Sequence, residues 1–383
     1  MYDAELGAKS KVELAVAESW SAELVRTLGW RVAGDLVLYL YKHALIHGEG
    51  EKALWEAVEP KTGSVVLRGE ALHCPAHVLD SLNELEQGGT KRRFERIMPS
   101  LVSVGLVAET PTSRLLVCPK CGSSYVGPRL YCPSCSSDEI KPTRLVQHVA
   151  CGYVDVVDRF PVAPEGKRVC PRCNILVTNP ETQLRVLGKL FLCESCNVTF
   201  KTPILKLICM NAETLAHRVN YEFDPLDGEV RVLKSYRLSS RQLSEPTLVE
   251  EVFAEALKRY VEERGLGLRL HAGKAIALSD EVHRIFKLTP FSMVIVNQVS
   301  KINVALDLGR GNDVTPYVMK TAYVSGTEGH YVLIITPQLE VGRTLMEEEL
   351  AHSSKNNVLV LKLMDETFES LAEKITEFVL SAT

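Results

Sequence analysis

A chain of 383 residues is long for one hydrophobic core and calls for two or three domains. Its hydrophobic content of 46% suits a folded protein; no apolar run approaches the roughly 20 residues of a membrane helix, and the N-terminal MYDAELGAKSKVELAVAESW lacks a secretory pattern, so a cytoplasmic protein with no membrane partner is expected. The net charge of −4 hides an asymmetry: residues 111–210 carry +6, against −4 before them and −6 after, which permits a nucleic-acid contact without demanding one.

Residues 11–58 read as helical, with Leu14, Val16, Leu24, Val25, Leu28 and Trp30 opening an amphipathic pattern that continues through 36–45. Lys61-Thr62-Gly63 marks a turn. Residues 76–117 have a winged-helix pattern. A helix over 76–86 stops at Gly88-Gly89. Thr90 can cap a second helix with Phe94 and Ile97 inward and Lys91, Arg92, Arg93 and Arg96 outward, a candidate nucleic-acid face. Pro99 suits the first turn of a third helix, and short strands over 106–109 and 114–117 follow.

The chemistry concentrates in 118–209. Of eleven cysteines, eight fall in four CxxC pairs and one in HxxC. Paired spacing of this kind signals metal ligation in a reducing compartment rather than a disulfide framework. Cys118-Pro-Lys-Cys121 and Cys132-Pro-Ser-Cys135, ten residues apart, form the pattern of a zinc ribbon in which two knuckles complete one tetrahedron. His148-Val-Ala-Cys151 and Cys170-Pro-Arg-Cys173 offer a second set, with imidazole replacing one thiolate. Cys193 and Cys196 form a third pair, and Cys209 lies near; His217 and Cys74 are open choices for a fourth ligand. The His148 pair joins the Cys170 pair if pairing is sequential, or the Cys193 pair in a cross-brace. Two to three Zn²⁺ per chain are expected. Sites closed by protein ligands build structure and leave no place for an activating water.

Beyond the metal segment, 217–223 and 230–236 read as a hairpin about Pro225-Leu226-Asp227-Gly228, and 238–246 as a polar linker. An α/β unit follows over 247–383. It comprises a helix from Leu248 to Val261 ended by Gly265, strands over 291–297 and 302–308, and a helix over 314–324. Then come a strand over 331–336, a helix over 339–351, a strand over 358–363 and a last helix from Asp365.

The run His148-Val-Ala-Cys151-Gly152-Tyr153, then Phe160, Cys170, Cys173, Leu187-Gly188-Lys189-Leu190-Phe191, Cys193, Cys196, Phe200 and Pro203 resembles the thaumarchaeal output domain over roughly 115–235. The resemblance implies an archaeal, metal-binding output module of regulatory proteins. The last CxxC of that family is reduced here to Cys209. The order of elements after residue 247 resembles the PD-(D/E)XK restriction-endonuclease-like core. That likeness implies a degenerate centre: Asp307-Leu308-Gly309 has Gly where the triplet needs Lys, and the strand before it has no acid.

The expected fold class is therefore multidomain α+β. A helical, winged-helix-like domain spans 1–115, a zinc-ribbon or output domain 116–240, and an α/β restriction-endonuclease-like domain 241–383. The expected function is a non-enzymatic zinc-binding regulator whose partner is nucleic acid or a regulatory protein, with a homodimer possible through the C-terminal domain. The alternatives are a metal-dependent DNA nuclease with a migrated site drawn from Asp280, Glu281, Asp307 or Asp313, and a protein–protein scaffold.

Overall fold

The computed structural model describes residues 20–48, 50–60, 62–70, 74–86, 91–212, 216–218, 220–309, 313, 315–325, 329–336 and 357–382. The expected cap Thr90, the stop Gly88-Gly89 and the helix over 339–351 lie outside them. The chain divides into two compact units, one made of 1–57, 66–113 and 233–383 and the other of 58–65 and 114–232. Described residues from 20–113 and from 233–382 thus fall in one unit, in place of the separate domains 1–115 and 241–383 that the sequence suggests.

In the first unit, residues 20–28 are helical and lead into helix α1 (Trp30–His47), which buries Ala33 through Tyr41 without a break. The expected helix stops there: Leu54–Val58 is strand β1, followed by β2 (Val65–Gly69). Helix α2 (Ala76–Asn83) precedes α3 (Phe94–Ser103). Pro99 lies inside α3 instead of starting a new helix. Its missing N–H costs one rung of the ladder, but Ile97, Met98 and Leu101 are buried on either side and hold the turn. The two strands expected over 106–117 are a single strand, β3 (Val107–Val117). The sheet order is β2-β1-β11-β3, with β11 at Glu229–Leu238. As an edge strand, β3 tolerates Pro111, and Thr112 Oγ1 donates to the Leu233 carbonyl beside it.

Helix α4 (Thr247–Arg264) ends as expected, with Gly265 left-handed at φ 63° and its N–H on the Glu262 carbonyl. Strands β12 (Leu268–Ala272), β13 (Met293–Asn297), β14 (Asn303–Leu308), β15 (His330–Ile335) and β16 (Val358–Lys362) form a sheet in sequential order. The first three run antiparallel, and β14, β15 and β16 run parallel. Helix α5 (Thr315–Ser325) connects β14 to β15, and α6 (Phe368–Ser381) closes the chain. All of β13 and β14 and nearly all of β15 are buried, as their largely apolar sequences require, with Asn297, Asn303 and Asp307 the buried polar exceptions. Trp30 meets Tyr260 edge-on at 5.0 Å, and the Phe368 N–H donates to buried Asp35, so α1, α4 and α6 share one core. The expected linker is a short helix, Ser240–Ser244, whose neighbour Leu248 donates its N–H to buried Gln242.

The second unit holds β4 (Val126–Tyr131), β5 (Ile140–His148), β6 (Val154–Val156), β7 (Leu184–Cys193), β8 (Thr199–Phe200), β9 (Ile204–Cys209) and β10 (Tyr221–Phe223). They form two sheets, ordered β10-β9-β4 and β6-β5-β7-β8. The expected hairpin over 217–237 does not form: β10 pairs with β9, and β11 belongs to the other sheet. A 3₁₀ turn over Pro225–Asp227, capped by Asp224 on the Leu226 N–H, steers the chain away. Gly228 sits at φ −71°, not in the left-handed region that primed hairpin turns use.

Candidate metal centres

Five short loops in the second unit share one backbone geometry: 118–122, 132–136, 148–152, 170–174 and 193–197. In each, the residue after the second ligand has positive φ: Gly122, Ser136, Gly152, Asn174 and Asn197, between 57° and 71°. Its N–H donates to the carbonyl of the first ligand at 2.8 to 2.9 Å. The N–H of the first ligand donates in turn to the carbonyl five residues on, at 2.7 to 3.0 Å. Gly, Ser and Asn are the small residues that enter this conformation at least cost. The turn puts both ligand side chains on one side, and His148-Val-Ala-Cys151 adopts it as fully as the four CxxC loops do.

The five loops and two further residues make three four-membered groups. Cys118 and Cys121 meet Cys209 and His217; Cys132 and Cys135 meet Cys193 and Cys196; His148 and Cys151 meet Cys170 and Cys173. All four ligand atoms in each group lie within 4.8 Å of one another, and each group could hold a metal ion. The ribbon pairing of the Cys118 loop with the Cys132 loop does not occur. Strand β4 runs straight between them, and six residues of strand span about 20 Å. Antiparallel pairing of β4 with β9 sets Cys209 beside Val126, at the Cys118 end. At the other end, β5 starts with Ile140 opposite Cys193, which brings the Cys193 loop to the Cys132 loop. The sequential pairing of the His148 and Cys170 loops is the one observed, and no cross-brace forms.

The distances fit a small tetrahedral ion. Around Zn²⁺ the S···S edge is ~3.8 Å and the S···N edge ~3.5 Å, from bond lengths of about 2.3 and 2.0 Å. Cys121 and Cys209 sulfurs are 3.6 Å apart, as are Cys132 and Cys196, Cys135 and Cys193, and Cys151 and Cys170. His217 Nε2 lies 3.2 and 3.4 Å from Cys121 and Cys118, and its Nδ1 is 2.8 Å from the Arg218 carbonyl. That second contact places the ring proton on Nδ1 and leaves Nε2 as the ligand atom. His148 presents Nδ1, at 3.2 and 3.4 Å from Cys151 and Cys173. Its buried Nε2 has no hydrogen-bond partner, so the thiols anchor this ring.

Burial opposes ionisation of Cys132, but N–H groups of Ser134 and Cys135 aimed at its sulfur outweigh that and bring the thiol down to about 7. Burial pushes Cys209 up to about 12, so a bound cation is what would hold it as a thiolate. Among the described residues Cys74 joins no such group; it is buried in the first unit, where desolvation raises it to about 12.

The basic candidates sit differently from expectation. Helix α3 begins only at Phe94, after Lys91, Arg92 and Arg93. Arg92 donates to the Asn83 carbonyl, Arg93 to Ser81 with Glu84 at 2.8 Å, and Arg96 to Glu86. Three of the four charges are therefore engaged within the fold, and Lys91 is exposed. Asp307 is buried against Lys320 Nζ at 2.7 Å and accepts from Tyr331 Oη and from the backbone and hydroxyl of Ser292. Glu281 pairs with Arg269. Among the described residues, no group of potential metal ligands includes Asp280, Glu281, Asp307 or Asp313.

Residues 77–226 match the model of the family described as thaumarchaeal output domain 1. The match begins earlier than the resemblance read from the cysteine loops, taking in α2, α3 and β3. No curated protein and no solved structure matches the chain.

Proposed function

We propose that the chain is a non-enzymatic archaeal regulatory protein whose central unit is a module stapled by three Zn²⁺ ions and contacts the phosphate backbone of nucleic acid. The observation that carries the metal part is the completeness of the three groups: each supplies four Cys or His ligands, which leaves no open position for water or substrate. The cofactor is Zn²⁺ because thiolate-rich tetrahedra select it over hard cations.

The nucleic-acid part rests on charge placement. On β5 and β7, Arg144 stands directly opposite Lys189, and both are exposed. Like charges across a strand pair cost stability, a cost that an anionic partner reverses. Arg129 stands opposite Lys206 on β4 and β9, but there Glu222 lies 3.4 Å from the Arg129 guanidinium and offsets part of the charge. These replace Lys91, Arg92, Arg93 and Arg96 as the leading contact surface. The test is binding of duplex and single-stranded DNA and RNA across a salt series. Changing Arg144 and Lys189 together to Glu should weaken binding and lower the salt slope by about 2. An unchanged slope, or no binding by the wild type, would instead favour a protein partner for this unit.

A further inference from the structure

The first unit carries a fourth group of metal-ligating side chains, different in chemistry from the other three. His43 and His47 are one turn apart on α1, with ring centroids 4.6 Å apart. Glu70 follows directly on β2. Its Oε2 lies 3.5 Å from His43 Nε2 and 3.5 Å from His47 Nε2. Tyr39, one turn before His43, accepts from the Glu70 N–H and donates to the Ala53 carbonyl. The Glu70 carbonyl accepts from the Cys74 N–H. The carboxylate is thus carried by a backbone fixed on both sides of it.

We infer that His43, His47 and Glu70 form a binding site for a divalent first-row transition-metal ion. One carboxylate oxygen stands equidistant from two imidazole nitrogens. A hydrogen bond would bring one nitrogen to 2.7–3.2 Å and leave the other. A shared ion asks for two equal edges, and at metal–ligand distances of about 2.1 Å a tetrahedral edge is ~3.4 Å. Two imidazoles and one carboxylate are the donor set of borderline cations such as Zn²⁺, Fe²⁺ and Co²⁺. Among the described residues these three offer one ligand atom each, and a four- or six-coordinate ion has further positions to fill. His43 is buried at 4% exposure, whereas His47 and Glu70 are 32% and 41% exposed, so the group lies at the edge of the core. Such an ion is held by fewer and harder ligands than those in the Cys groups, and it exchanges where theirs do not.

The test is Co²⁺ uptake by the full chain with its thiolate sites already filled with Zn²⁺, followed by equilibrium dialysis and visible absorption. The wild type takes up one Co²⁺ per chain, with weak bands and no thiolate-to-metal charge transfer. His47→Gln and Glu70→Gln each weaken that uptake by more than the roughly 10–100-fold that loss of an outer-shell partner costs, while zinc content stays unchanged. Glu70→Gln is nearly isosteric and carries the comparison if His47→Gln fails to fold. Uptake by either folded variant equal to that of the wild type, or no uptake by the wild type, overturns the site.

Discussion

The two units reach burial by different means. In the first, β13, β14 and β15 are runs of Val, Ile, Leu and Ala covered on both faces, and the buried cluster about Phe286, Phe291, Tyr331 and Leu333 contains no ligand. In the second, the buried clusters are small and include the ligands themselves. One gathers Val146, Phe160, Val177 and Leu184 round Cys170, and the other sets Leu207 and Phe223 against Cys118 and Cys209. A strand such as β9 buries only its last three residues, ending at Cys209. A unit built this way gathers its burial in small patches around the candidate ligands, and on the function proposed above metal free energy adds to it.

The largest effect expected from this contrast is that of metal removal. Structural zinc supplies on the order of 10 kcal/mol per site at neutral pH. Stripping it with a thiol reagent and chelator should unfold 114–232 while the unit containing 247–383 stays protected. Hydrogen exchange followed by mass spectrometry reads both at once; equal loss of protection in the two units would break the comparison. Because ligation displaces thiol protons, from Cys135 and Cys209 above all, the same loss should set in without chelator as pH falls.

Next comes the pairing of loops. Cys193→Ser should free Cys132 and Cys135 for alkylation while Cys118, Cys121 and Cys209 stay protected. Alkylation of Cys118 together with Cys132 would restore the ribbon arrangement.

In the apolar unit the sharpest single change is Asp307→Ala. It takes from half-buried Lys320 its carboxylate partner at 2.7 Å, leaving the ammonium the Pro290 carbonyl, so the loss should fall below the about 3–5 kcal/mol of a fully buried pair. Thermal unfolding should show that loss with zinc content unaltered. Gly34→Ala is milder. Its Cβ would lie 2.3 Å from the Phe368 ring, an overpacking worth about 1–3 kcal/mol, so the variant should melt lower despite the better helix former.

The same contrast explains what could be read from the sequence. After residue 247 the strands β13 to β16 and the Gly265 stop are legible as apolar runs and a breaker, whereas β12 and the short helices over 274–278 and 284–288 are not, being short and half-exposed. The loops are legible from the CxxC and HxxC spacing of their ligands. The grouping of those loops is not. It depends on β4 running straight into an antiparallel partner some 75 residues later, and spacing along the chain carries no record of that. His217 was only one of several choices because it lies outside any loop motif. Pro99 points to a helix start in the sequence, and tertiary packing overrides it inside α3. The His43–His47 pair passed unnoticed inside an apolar helix. The i, i+4 spacing on one face was the available signal, but Glu70 arrives only through the β1–β2 fold-back.

On the function proposed above, three closed metal centres, paired as the structure pairs them, hold the second unit together. Native mass spectrometry of the Glu70→Gln protein, dialysed against metal-free buffer, tests this. Three zinc ions per chain are expected, falling to two in the added Cys193→Ser variant while the Cys118 and His148 groups keep theirs. Two or fewer ions before that change, or loss of the Cys118 ion along with the Cys132 one, would contradict it.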